Sequence, residues 1–461
     1  MSEIAVKEWM ISVDDHLVEP PNLWTDRLPA KYRDLGPRWI SDEKGEAWLF
    51  EEKSRCAVGG AVTSGAIWPP EARPPPFTPL AWSEIPSACH DPRARIEAMN
   101  TDSVLAALMF PNLPGFAGNL FQRTKDKELA LLCLQAYNDW LLDEWCTSYP
   151  GRFIGLALIP MWDPALAARE AERTIKKGAR AIAFSMAPHN LGFPPIHDPG
   201  LYWDPLFSVM NDANLPLCTH LGTGLDFDPQ TFDMSKLAEM AKKGAIDFSK
   251  IAEFAKQGDV SKLAAMAGNE SKRASAPSPN PRVGPVLMQL AGQTTLVEWI
   301  YSGNFERFPN LKVALSENGI GWIPSVLAVA DWLMEMSRSR VTSAFDAENN
   351  PLLNEEARSL AKITLEGRAQ KQLKERLPSE IFRDHIYGCF IHDPVGLRLL
   401  DWIGADNVMI ETDFPHNATW YPNSMQKAQE SLAGLPDDVR HKILRGNAER
   451  VFQFMPSLPP H

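Results

Sequence analysis

Eight short runs of apolar, β-forming residues recur along this 461-residue chain, with helical patterns between most of them. They are Ile11–Val13, Val104–Phe110, Phe153–Ile159, Ala179–Ser185, Leu215–Thr219, Leu311–Leu315, Ile386–Phe390 and Val408–Thr412. Near-continuous apolar runs of this length read as strands buried on both faces. That is the pattern of a parallel sheet, whose strands need long, usually helical, connections. Leu129–Cys146 and Ala165–Lys177 carry the apolar spacing such helices require. Eight strands over this length predict an α/β fold, a distorted (β/α)8 TIM barrel forming one domain over residues 1–461. No Gly-rich phosphate-binding motif follows any strand, which argues against a nucleotide-binding doubly wound sheet.

Two insertions interrupt the pattern. The first, at about 18–95, is β- and Pro-rich, with a predicted hairpin from Arg38 to Phe50 turning near Lys44-Gly45 and a Pro-rich stretch from Trp68 to Phe77. The second, at about 222–285, contains a repeat. Its copies start at Ser235, Ser249 and Ser261, and each predicts a short helix with a narrow apolar stripe. Helices this short must dock on something. A combined role is expected, a lid over the barrel mouth that also touches a neighbouring subunit, with a surface insertion of no role as the alternative.

Charge and cysteine usage narrow the function classes. Lys and Arg number 46 against 58 Asp and Glu, giving a net charge of −12 without a basic cluster. Nucleic acid and anionic membranes are therefore not expected partners. No apolar run reaches the roughly 18–20 residues a membrane span needs, and no signal-peptide pattern opens the sequence. Six scattered cysteines without a C-x-x-C pair fit reduced thiols. A cytoplasmic enzyme acting on a small molecule is the expectation.

In a barrel of this kind the chemistry gathers at the C-terminal ends of the strands. Strand alternation puts Asp14 and His16 on one face of the first strand, with Glu19 following on the loop. His220 ends the fifth strand, Glu317 the sixth and His392 the seventh, while Asp413 and His416 follow the eighth. Singly, each has a bland reading as a cap or hydrogen-bonded residue. Together they form the ring of imidazoles and carboxylates that a divalent metal needs. Asp14, His16, Glu19, His220, Glu317, Asp413 and His416 are the candidate ligands, and Glu317, Asp413 and His392 the candidate catalytic groups.

These residues stand in stretches that resemble the amidohydrolase superfamily, in the amidohydrolase-related branch that includes aromatic-acid decarboxylases. The matching stretches are Asp14-x-His16-x-x-Glu19-Pro20, Leu215-Pro-x-x-x-His220, Ser316-Glu-Asn-x-Ile-Gly-Trp-Ile-Pro324, Asp413-x-Pro-His416 and Gly446-Asn-Ala-x-Arg450. The resemblance implies Asp14, His16, His220 and Asp413 as metal ligands. Two departures stand out. No Lys ends the fourth strand, so a carbamylated-lysine bridge is not available, and Glu317 stands where the decarboxylases carry a catalytic His. The carboxylate-rich set resembles that of TIM-barrel nonheme di-iron monooxygenases. This implies two iron or manganese ions activating O2 to hydroxylate a small organic substrate. One alternative is a mononuclear zinc or manganese hydrolase or carboxy-lyase. Another is a non-catalytic barrel subunit supporting a catalytic paralogue. A homo-oligomer, or a hetero-oligomer with a paralogous barrel subunit, is the expected assembly.

Overall fold

Eight parallel strands, each feeding its neighbour through a helical connection, form the centre of the molecule. A computed structural model of the chain describes residues 8–43, 45–51, 54–56, 80–223, 286–339, 355 and 375–458. The barrel strands are β1 (Met10–His16), β5 (Val104–Phe110), β6 (Phe153–Ala157), β7 (Ala181–Phe184), β8 (Pro216–His220), β9 (Lys312–Ser316), β10 (Ile386–Phe390) and β11 (Val408–Ile410). They pair in that order. All eight predicted runs are barrel strands, with boundaries shifted by a few residues at most.

Backbone bonds between β1 and the segment after β11 close the ring. The Asp413 N–H donates to the Asp14 carbonyl at 2.8 Å, and the His16 N–H donates to the Phe414 carbonyl at 2.7 Å. Closure leaves no free edge. It also places the two chain segments richest in candidate ligands side by side.

Nearly every residue of the barrel strands is buried, which is why they read as continuous rather than alternating apolar runs. The outer helices start where the sequence supplies caps. Asp91, Asp126 and Asp163 each accept two backbone N–H groups, at 2.8–3.1 Å, opening Pro92–Thr101, Lys127–Trp140 and Pro164–Lys176. Pro92 and Pro164 occupy first helical positions, where a missing N–H costs nothing. The predicted helix Leu129–Cys146 is α-helical only to Trp140 and continues as a π-turn over Leu141–Trp145.

The first insertion contains the predicted hairpin, β2 (Arg38–Asp42) against β3 (Gly45–Phe50), with Asp42 opposite Gly45. A third strand, β4 (Ser54–Cys56), was not legible in the pattern. An edge-to-face aromatic chain ties this small sheet down. Trp48 lies 5.2 Å from Trp24 and 5.5 Å from Trp39, and the Trp24 indole N–H donates to the Cys133 carbonyl at 2.9 Å.

The chain divides into two compact units, Met1–Asp226 with Ala291–His461, and Phe227–Leu290. The repeat starting at Ser235 and the Pro-rich stretch Trp68–Phe77 lie outside the described residues. Among the described residues no helix is long and apolar enough to cross a membrane. Cys89, Cys133, Cys146, Cys218 and Cys389 are unpaired thiols.

Candidate metal centre

Register sets the site. His16 pairs with Phe110 across β1 and β5, and His220 with Ser316 across β8 and β9, so their side chains emerge at the barrel mouth. On β1 the three steps from Ser12 to Asp15 oppose only two on β5, from Ala107 to Met109. Such a bulge re-aims side chains. Asp14 and His16 point to the centre, while Asp15 turns to the closure seam.

Asp14, His16, His220, Asp413 and His416 converge there, all at most 6% exposed. His16 Nε2 lies 3.3 Å from Asp14 Oδ1 and 3.0 Å from Asp413 Oδ1. His220 Nε2 lies 3.2 Å from Asp14 Oδ2 and 3.7 Å from Glu317 Oε2. His416 Nδ1 lies 2.7 Å from Asp413 Oδ1, and its ring stacks on His16 at 3.8 Å. Two overlapping groups result, Asp14/His16/His220 and His16/Asp413/His416, each with ligand atoms within 4.8 Å of one another.

The atoms that meet are short of hydrogen bonds. Both oxygens of Asp14, both of Asp413, both nitrogens of His16 and Nε2 of His220 are buried without a well-formed one. Buried polar atoms are almost always satisfied, so a convergent set of exceptions asks for an explanation. A cation meeting these lone pairs supplies it. His220 Nδ1 lies 2.7 Å from the Leu221 carbonyl, which can only accept, so Nδ1 carries a proton and Nε2 is the nitrogen turned to the centre, where it could coordinate.

The electrostatics agree. Burial, together with the charge of Asp14, pushes Asp413 well above the usual carboxylate range. Burial and the neighbouring Asp413 raise Glu317 to about 8. Burial lowers His16 far below its ordinary value and His416 to about 4. For His220 burial acts downward, but the charge of the adjacent Asp14 outweighs it and raises the group to about 9. Carboxyl groups are crowded here out of reach of water, and a dication among them would favour their ionised forms.

Glu317 and Asp413 both adopt left-handed backbone, with φ of 61° and 54°. For non-glycine residues this stores of order 1–3 kcal/mol, and such strain concentrates at functional sites. It is held by Glu411, whose Oε1 accepts the Glu317 N–H at 3.0 Å, and by the Asp413 N–H bond to Asp14.

Glu317, expected as a ligand, reaches His220 only at 3.7 Å and belongs to neither ligand group, and two further expected members stand apart. Glu19 is fully buried but turned away, its oxygens accepting the Asn112 and Leu113 N–H groups at 2.9 and 3.0 Å. Both oxygens are committed to loop backbone, and Glu19 belongs to neither ligand group. His392 is exposed beside Trp420 and likewise belongs to neither.

Three features escaped the sequence reading. Glu411, buried directly after β11 and two residues before Asp413, accepts the Glu317 N–H; a further carboxylate beside the eighth strand end was the available signal. Arg95 is fully buried, donates to the His16 and Ala88 carbonyls, faces Asp15 at 3.6 Å and lies over the Phe414 ring. Phe116 rests on the imidazoles of His16 and His220.

As expected, no Lys ends β7. Ser185 follows the strand and donates to the Thr223 carbonyl at 3.0 Å.

The amidohydrolase family model matches residues 67–454. The chain belongs to the amidohydrolase family. It is 29% identical over 390 residues, 81% of its length, to a gamma-resorcylate decarboxylase of Polaromonas sp. (strain JS666 / ATCC BAA-500), covering 91% of that protein. An amidohydrolase from Mycobacterium avium subsp. paratuberculosis K-10 shares the fold at TM-score 0.64 and 19% identity, with 97% of this chain and 100% of that one covered. A dihydroxybenzoic acid decarboxylase from Polaromonas sp. JS666, solved with bound manganese and the inhibitor 2-nitroresorcinol, aligns at TM-score 0.53 and 16% identity, with 97% of each chain covered. This amidohydrolase thus carries its family's barrel, with a carboxylate, Glu317, directly after the sixth barrel strand.

Proposed function

We propose that this amidohydrolase is a divalent-metal-dependent carboxy-lyase acting on a carboxylated aromatic ring. The observation carrying the reading is the convergence of hydrogen-bond-deficient atoms of Asp14, His16, His220 and Asp413 in one buried centre. These four residues would hold the ion, with manganese favoured by the solved relative. A bound dication supplies Lewis-acid stabilisation of the negative charge of substrate and transition state.

The remaining chemistry falls to side chains. In decarboxylation the bond from ring carbon to carboxylate breaks, CO2 departs and the carbon takes a proton. Glu317, whose side chain is 22% exposed, is the carboxyl at the centre open to an incoming substrate. Its Oε2 is the donor of that proton and regains it from solvent. His416 orients Asp413 through the 2.7 Å contact. The gamma-resorcylate decarboxylase relative favours this reading over the dioxygen activation first expected.

The test is CO2 release from manganese-loaded protein offered 2,6-dihydroxybenzoate and 5-carboxyvanillate, substrates suggested by related decarboxylases. Release that vanishes on chelation supports the reading; fully loaded protein inert to both contradicts it.

A second reading rests on the two ligand groups sharing His16. Two ions there would suit dioxygen chemistry. Two irons per chain, with substrate-dependent O2 consumption and no CO2 release, would favour it over the carboxy-lyase.

A further inference from the structure

The loop after β5 reaches across the barrel mouth and sets an aromatic ring on the candidate ligands. Phe116 lies 3.9 Å from the His220 ring, 4.9 Å from His16 and 6.0 Å from His416, centroid to centroid. Phe110, also in contact with His16 and His220, is completely buried; Phe116 is only partly so. The exposed part of Phe116 therefore borders the route by which a molecule reaches the imidazoles, because loops at strand C-termini line the mouth of a barrel.

Glu19 determines where this loop runs. Its two carboxylate oxygens take the N–H groups of Asn112 and Leu113, consecutive residues at the start of the loop. Two backbone N–H bonds to a fully buried carboxyl group hold the backbone three and four residues before Phe116. Gly115 and Gly118, with φ of 76° and 71°, then allow the turn that brings the ring inward.

We propose that Phe116 selects flat, ring-bearing carboxylates at the metal centre and that Glu19 is its positioning residue. The inference rests on the metal-centre reading above. Aromatic rings prefer offset or edge contacts with other rings beyond what area burial alone supplies, so a planar substrate gains where a saturated one of the same size does not.

The experiment compares benzoate with cyclohexanecarboxylate, binding by calorimetry to manganese-loaded protein. Wild type favours benzoate by roughly two- to tenfold. Phe116→Leu removes that preference with metal stoichiometry unchanged, and Phe116→Tyr keeps it. Glu19→Gln, which puts an amide NH2 against one loop N–H, also loses the preference while retaining metal. The proposal is overturned if wild type shows no preference or binds neither probe, if Phe116→Leu keeps the preference, or if a folded Glu19→Gln protein loses its metal as a ligand variant would. Ring preference without CO2 release would count against the carboxy-lyase reading alone. CO2 release without ring preference would count against Phe116 alone.

Discussion

His220 faces Asp14 across the barrel mouth with Nε2 3.2 Å from Oδ2, while its other nitrogen is committed to the Leu221 carbonyl. A histidine so tethered has one orientation and presents one lone pair. His220→Ala removes a ligand and leaves Asp14 facing a gap. Bound manganese should fall below a tenth of wild-type stoichiometry by elemental analysis, with turnover lost. Full metal occupancy in this variant would exclude His220 as a ligand.

Glu317→Gln preserves shape and the Glu317 N–H bond to Glu411 but removes the transferable proton. General acid catalysis contributes about 10²–10⁴-fold. Turnover should drop by that factor while the melting temperature stays within about two degrees. Wild-type rates would remove Glu317 from the chemistry.

The Arg95–Asp15 pair locks the closure seam. Asp15 Oδ1 also accepts from Ser12 Oγ at 2.8 Å and Thr412 Oγ1 at 2.5 Å, tying β1 to the end of β11. Removing one partner of a buried pair typically costs about 3–5 kcal/mol. Arg95→Met should show a loss of that size in urea denaturation. Asp15→Asn in the Arg95→Met background should recover part of it, because the stranded charge is gone. A loss under about 1 kcal/mol would show that the seam does not depend on Arg95.

On the outer face, burial acts to raise Asp139, but hydrogen bonds from Arg173 and Lys177, both 2.5 Å, outweigh it and hold the group below its ordinary value. A carboxylate depressed in the folded state binds fewer protons there than when unfolded. Its stabilising contribution is therefore present above the unfolded value of 3.8 and is lost as pH falls through the lower folded value. Asp139→Asn should thus lower stability at pH 6 and matter progressively less below pH 4, in denaturation midpoints read across that range. A constant offset across this range would contradict the assignment. The network is partly solvated, so the effect at pH 6 should stay near or below about 1 kcal/mol.

The strands were legible because burial on both faces writes an uninterrupted apolar run, and strand-end residues such as Asp14, His16 and His220 follow from alternation. The fate of Glu19 was not. Spacing puts it near His16, but its partners are amides of residues 112 and 113, some ninety positions away. Arg95 escaped for the same reason, since β1 and the end of β11 meet only on closure. His392 shows the opposite failure: it stands two residues after β10, yet the side chain turns to Trp420. Strand order predicts which residues reach the mouth, not which of them turn inward.

The central claim is that the buried atoms of Asp14, His16, His220 and Asp413 form a divalent-metal site. Calorimetric titration of chelator-stripped protein with manganese tests it most directly. The account predicts saturable binding of at least one ion per chain, with protons released as the raised His220 and carboxylate groups give way to metal. A folded wild-type protein that takes up no divalent ion, manganese, iron or zinc, would contradict it.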